Sequence, residues 1–157
     1  MKKAIIVVLL LSLILCICSC DTQDQGIDQA APNTTPSSSL GDYDVVIESS
    51  RLATDFQGND IIIVKFKFTN NSEEPAAFNY SISCSAFQNG VGLNECYFAD
   101  GSANFSLDNQ NKEIKKGVTL TVEVAFELND STTDVEIEVS ELWSLNNKKV
   151  TKIFSIK

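Results

Sequence analysis

The sequence predicts an all-β fold, a sandwich of two antiparallel sheets built from about seven or eight short strands. Three observations carry this. Nearly every segment after Gly41 alternates apolar and polar residues with period two, the pattern of strands buried on one face. Clusters of Asn, Gly, Asp, Ser and Pro punctuate those segments. No stretch carries a helical apolar stripe. A closed barrel is the alternative, since it meets the same pattern.

Taken in order, Tyr43, Val45 and Ile47 share one face, with Asp44 and Glu48 opposite. The run "DIIIVKFKFTNN" points Ile62, Val64, Phe66 and Phe68 inward. Ile61 and Ile63 then share the outer face with Lys65 and Lys67, so one end of that outer face is apolar and is expected to be covered. "AAFNYSISCSAFQNG" sets Phe78, Tyr80, Ile82, Cys84 and Ala86 against Asn79, Ser81, Ser83 and Ser85. "VTLTVEVAFEL" places Val118, Leu120, Val122, Val124, Phe126 and Leu128 inside. "TDVEIEVSELW" does the same with Val135, Ile137 and Val139, and the tail contributes Val150, Phe154 and Ile156. Between them "QGND", "TNNSEEP", "QNG", "ADGS", "DNQNKEIKKG" and "LNDSTT" read as turns, where Asn and Gly supply positive φ.

The chain opens with two lysines and an apolar run of roughly 14 residues, the proportions of an export signal; a bilayer span needs about 20. "LILCICSCD" carries cysteines at every second position. Ile17-Cys18-Ser19-Cys20 resembles a bacterial lipobox, with small Ser19 directly before Cys20. Residues 1–19 are therefore expected to leave as a lipoprotein signal peptide, and Cys20 to carry acyl chains that anchor the protein to the membrane. Residues 20–41, rich in Asp, Gln, Thr, Ser and Pro, read as a flexible linker. Residues 42–157 read as the folded domain.

The chain has 12 basic and 21 acidic residues, a net charge of −9, and no histidine. Loss of Lys2 and Lys3 leaves 10 basic residues and a net of −11. Nucleic acid, which wants a basic stripe, is excluded as a partner. The acidic balance also argues against a second membrane contact. Absence of histidine removes the commonest general base and metal ligand; an enzyme built on carboxylates or a serine–lysine pair stays open, but no enzyme, cofactor or metal is expected.

Cys84 and Cys96 flank Asn89-Gly90, a strong hairpin signal. A bulge near Asn94 or Glu95 would set them opposite one another, and an exported protein permits the disulfide. Two buried free thiols are the alternative. Phe87, out of the inward phase, is expected to join Tyr97, Phe98 and Phe105 in a binding patch at one end of the sandwich, with packing at a bulge as the competing account. Trp143 is assigned to the core. Asp134, Glu136 and Glu138 would form an acidic face with Glu123 and Glu127 if their strands were neighbours. The loop with Asp100, Ser102, Asn104, Asp108, Asn109, Asn111 and Glu113 offers oxygen ligands for calcium, yet lacks the EF-hand order.

"YDVVIESSRLATDFQGNDIIIVKFKFTNNSEEPAAF", "AFQNGVGLNE" and "VSELWSLNNKKVTKIFSI" together resemble an uncharacterised family of extracellular lipoproteins, a domain of unknown function found mainly in Gram-positive bacteria. The resemblance covers residues 41–157. It implies an immunoglobulin-like sandwich related to that of a secreted mycobacterial immunogenic antigen, and it carries no catalytic residues. The functional expectation is a non-catalytic interaction domain tethered at the cell envelope, contacting an envelope protein or wall polymer. The alternative is a sensor of a small ligand or a cation such as calcium.

Overall fold

The computed structural model describes residues 38–97, 105 and 107–157. The chain divides into Met1–Pro32, which lies outside the described residues, and Asn33–Lys157, which carries the fold. The expected signal peptide, the lipidation site Cys20 and most of the linker therefore fall outside the description.

Period-two alternation becomes two antiparallel sheets. The first has the order β1(Ser38–Leu40)-β2(Tyr43–Thr54)-β3(Asp60–Asn70)-β7(Thr119–Glu127)-β6(Glu95–Cys96). The second has the order β5(Val91–Gly92)-β4(Ile82–Gln88)-β8(Val135–Glu141)-β9(Lys149–Phe154). The inward faces of β2, β3, β7, β4 and β8 meet in one core, centred on Val45, Ile47, Phe66, Phe68, Val124 and Ile137. Each such side chain contributes roughly 1.5–3 kcal/mol on burial. Phe78 sits edge-on to Phe68, with ring centroids 5.7 Å apart.

The outer face of the first sheet carries a second cluster. Ile61, Ile63, Ala125 and Cys96 are covered there by Phe105, with Leu107 packed alongside. The apolar end of that face is thus covered, as the two outward isoleucines require.

Three departures from the alternation have local causes. Leu40, assigned to the linker, is 1% exposed, because Ser38–Leu40 pairs with Tyr43–Val45 across a turn that uses Gly41 at φ 61°. Phe78–Ser81 forms a single helical turn, α1, which turns Tyr80 outward and buries Ser81. Trp143 stands in the β8–β9 loop rather than the core.

Buried amides fix the loops at both ends. Gln88 donates to the carbonyls of Asp130 (3.0 Å) and Thr133 (2.8 Å) and accepts from Asn129 N at 2.8 Å. Asn70 donates to the carbonyls of Glu74 and Ile114, both at 2.8 Å. Among the described residues no buried side-chain nitrogen or oxygen lacks a hydrogen-bond partner, which offsets the desolvation cost of placing such groups inside.

Candidate functional site

The strand orders give the sandwich two unlike flanks. On one, β9 lies beside β1 and β2, and Lys152, an inward position of β9, reaches across to main-chain carbonyls of β2. On the other, β4 of the second sheet faces β6 of the first. The Asn89-Gly90 turn, with both residues at positive φ, forms the expected hairpin. Pairing ends after Phe87↔Gly92 and the Leu93 N to Ala86 O bond. The chain then leaves the second sheet, and Glu95-Cys96 pairs with Ala125-Phe126 of β7.

That change of sheet opens a pocket of about 370 Å³ on the β4/β6 flank. Glu95 is opposite core-facing Phe126, so its carboxylate points between the sheets. Cys84 lines the same pocket from β4, Tyr97 from beyond β6 and Tyr80 from α1. Asn79 and Asn111 close one side, joined by a 3.0 Å hydrogen bond. The volume is that of a small-ligand site.

Three of its groups, Glu95, Cys84 and Tyr97, are held toward their protonated forms. Burial raises the Glu95 carboxyl above its ordinary value, and the Tyr97 hydrogen bond draws it partly back. Burial, then the Glu95 charge, pushes the Cys84 thiol far up. Burial, followed by the Glu95 charge and hydrogen bond, raises Tyr97. At neutral pH the pocket therefore offers a thiol rather than a thiolate nucleophile. None of its lining residues is Lys or Arg, so the pocket has no side-chain cation to pair with an anion.

A second cluster lies on the outer face of the first sheet. Ligand atoms of Asp55, Cys96 and Glu127 all fall within 4.8 Å of one another. The Cys96 thiol donates to Glu127 Oε1 at 3.7 Å. Burial, then the charges of Glu127 and Asp55, push it up to about 11. Burial works to raise Asp55 as well, but hydrogen bonds from the Asn59 main chain and side chain and from Gln57 hold it below its ordinary value.

The residues singled out in the sequence are largely separated. Cys84 and Cys96 are free thiols, and the expected disulfide is absent. Its premise was one hairpin continuing to residue 96. The chain changes sheet first, so Cys84 packs on the inter-sheet core while Cys96 packs on the far side of the first sheet. The described members of the aromatic patch, Phe87, Tyr97 and Phe105, are not brought together either. Phe87 lies on the outer face of the second sheet, opposite Gly92 and Glu136. Phe105 is 3% exposed within the outer cluster, and Tyr97 is 66% exposed at the pocket. Phe98 lies outside the described residues, as do Asp100, Ser102 and Asn104 of the acidic loop. Glu123 and Glu127 stand in a different sheet from Glu136 and Glu138, so no common acidic face forms. Arg51 pairs with Glu123, and Lys149 pairs with Glu138. Glu95 and Tyr80 were missed as site residues. Only the phase break in "VGLNECYF" marked the place, and it was read as a bulge.

Fold and pocket define an antiparallel β-sandwich with a small polar cavity on one open flank. The chain belongs to the family described as a domain of unknown function, DUF5067, whose profile matches residues 19–141. It is similar in structure to a protein of Staphylococcus aureus subsp. aureus NCTC 8325 described as a "putative lipoprotein", with TM-score 0.58, 16% identity, and coverage of 73% of this chain and 84% of that one. It is also similar to a protein from Enterococcus faecalis solved by NMR, with TM-score 0.53, 20% identity, and coverage of 74% and 86%. No curated protein matches the chain. The family resemblance and the sandwich expected from the sequence are both borne out.

Proposed function

We propose that this protein is a lipid-anchored lipoprotein on the outer side of the cell membrane. Its sandwich is a non-catalytic binding domain that seats a small ligand, or the end of a wall polymer, in the β4/β6 pocket. The single observation that carries the reading is the pocket itself, with Glu95, Tyr97, Tyr80, Asn79 and Asn111 converging on about 370 Å³. Anchoring follows from the sequence: residues 1–19 act as the export signal, Cys20 as the acylated residue and the following segment as the tether. A non-catalytic role fits a pocket whose thiol stays protonated and a chain without histidine. The ligand is neutral or cationic, because the only charge among the lining residues is the Glu95 carboxylate.

The test places a photo-crosslinking amino acid at Tyr80 in the full chain in cells, with Thr151 on the outer face of β9 as control site. An adduct on the Tyr80 peptide, absent at Thr151 and reduced when Cys20→Ala removes the anchor, supports the proposal. Equal labelling at both sites counts against it.

A cation-sensing role is the second reading. Asp55, Cys96 and Glu127 favour it over the acidic loop, since they bring one sulfur and two carboxylates together. A rise in melting temperature with zinc, lost in Cys96→Ala, is the expected mark of that role. Thermal curves that coincide with and without zinc would exclude it.

A further inference from the structure

The β8–β9 loop is the most apolar exposed feature among the described residues. Trp143 is 86% exposed, Leu145 103% and Leu142 38%. The eight residues 142–149 hold these three side chains, two lysines and no acidic residue, in a chain of net charge −9. Lys149 is paired with Glu138 at 2.6 Å, and Lys148 is exposed beside it. The loop is shaped locally: Ser144 Oγ accepts from Asn146 N and Asn146 Oδ1 from Lys148 N. Its tip therefore projects its apolar side chains instead of folding them onto the sheet.

We propose that Leu142, Trp143 and Leu145 seat in the interfacial zone of a lipid bilayer, with Lys148 at the headgroups. Trp prefers that zone because its ring is apolar and its indole N–H still finds a polar partner there. Leucine beside it adds buried apolar area, and lysine near an anionic surface adds attraction. A protein partner fits less well. A stable protein interface takes about 800 Å² from each side, whereas this patch is three side chains interrupted by Ser144, Asn146 and Asn147. A deformable bilayer accepts a projecting tip without a matching cavity.

The chain's own connectivity puts the loop within reach of a membrane. Glu141, at the base of the loop, lies so close to Gly41 that a Cβ there would clash with its carboxylate. Gly41 follows β1 directly, so the segment leading back to Cys20 joins the domain about 10 Å from Gly41, at roughly 3.3 Å per strand residue, on the strand that ends beside the Glu141 side chain. The net acidity of the chain argues against a second membrane contact; the proposal rests instead on the loop itself, where Lys148 and Lys149 are the only charged residues from 142 to 149.

Trp143 is the one tryptophan of the chain, so its fluorescence reports this loop alone. The full chain is reconstituted in vesicles of phosphatidylcholine, with and without phosphatidylglycerol. The expected result is a blue-shifted emission, protection from acrylamide and quenching by brominated acyl chains, all stronger with phosphatidylglycerol. Leu145→Ser with Lys148→Glu should abolish the shift while leaving the far-ultraviolet circular dichroism unchanged, since both side chains are exposed. Moving the reporter with Trp143→Phe and Tyr80→Trp should give an emission indifferent to vesicles. Emission that stays solvent-like and open to acrylamide overturns the proposal. So does a shift that grows with the protein-to-lipid ratio, which would mark a second copy as the occupant.

Discussion

The Lys152 ammonium donates to the main-chain carbonyl of Glu48 at 2.7 Å, and to that of Ile47 at 3.0 Å. The two carbonyls are available because β2 is bulged there, its pairing to β3 shifting between Ile47 and Ser49. A cation placed at an inward strand position is thereby satisfied by a defect in the opposite sheet. The stem packs along the flank and the charge lies 5.0 Å from the centroid of the Phe154 ring. Lys152→Met should keep most of the apolar packing and leave both carbonyls without their donor. A loss of about 2 kcal/mol is expected, from the cost of part-buried groups left unpaired. Urea denaturation of the variant checks it, and an unchanged midpoint would show that water replaces the ammonium without penalty.

Gln88 joins the hairpin turn to the β7–β8 loop through Asp130, Thr133 and Asn129. Gln88→Leu preserves volume and removes all of those bonds. The expected cost is about 2–3 kcal/mol. Amide exchange should locate the damage at residues 129–133, not at the distant Asn70 corner.

The two thiols should behave independently. Cys84→Ala and Cys96→Ala each cost about 1 kcal/mol as losses of buried volume. The double variant should equal their sum within roughly 0.5 kcal/mol, because they lie in separate clusters with no shared partner. A disulfide would instead make the second substitution almost free. Thiol alkylation in urea without reductant, read on the peptides holding Cys84 and Cys96, offers a direct check, with both expected to react.

Acid and neutral stability should respond to different carboxylates. Main-chain hydrogen bonds from Thr132 and Thr133 hold Asp130 down at about 2. Its folded pKa is below its unfolded one, so its contribution is present above pH ~4 and disappears as pH falls toward 2. Asp130→Ala should flatten that part of the profile. Glu95 has the opposite sign: its folded pKa is raised by burial. Its stabilising contribution is complete below its unfolded pKa and is lost as pH rises through the folded value. Glu95→Gln should therefore raise the melting temperature at pH 7 relative to the parent and give no such gain at pH 4. Equal effects at both pH values would place Glu95 in water rather than in the pocket.

Much of the sandwich was legible because its rule is local. Phe66, Phe68, Val135, Ile137 and Val139 alternate as their burial does, Ile62 and Val64 are buried as expected, and Asn89-Gly90 announces its own turn. What could not be read was decided by pairing between distant segments. Nothing near Leu93 says that Glu95 and Cys96 will join β7, and that event alone separates Cys84 from Cys96 and creates the pocket. Tyr80 followed the alternation perfectly and was misplaced by one helical turn. Leu40 is a single apolar residue after three serines, too little for a period to show. Trp143 was placed by residue type, a rule that ignores whether a strand has already ended.

Among the described residues β9 is the outermost strand of its sheet, with one row of main-chain donors and acceptors that no neighbouring strand of those residues claims. Such a row is a template for another chain's strand, and the hazard grows where many copies share one surface. An inward-pointing lysine on an edge strand is a known obstacle to that kind of joining, because a docking strand would have to bury the charge or break its bonds. Lys152 therefore also guards against sheet-to-sheet polymerisation: a chain that loses it risks growing into fibrils, quite apart from any change in how firmly a single copy is folded.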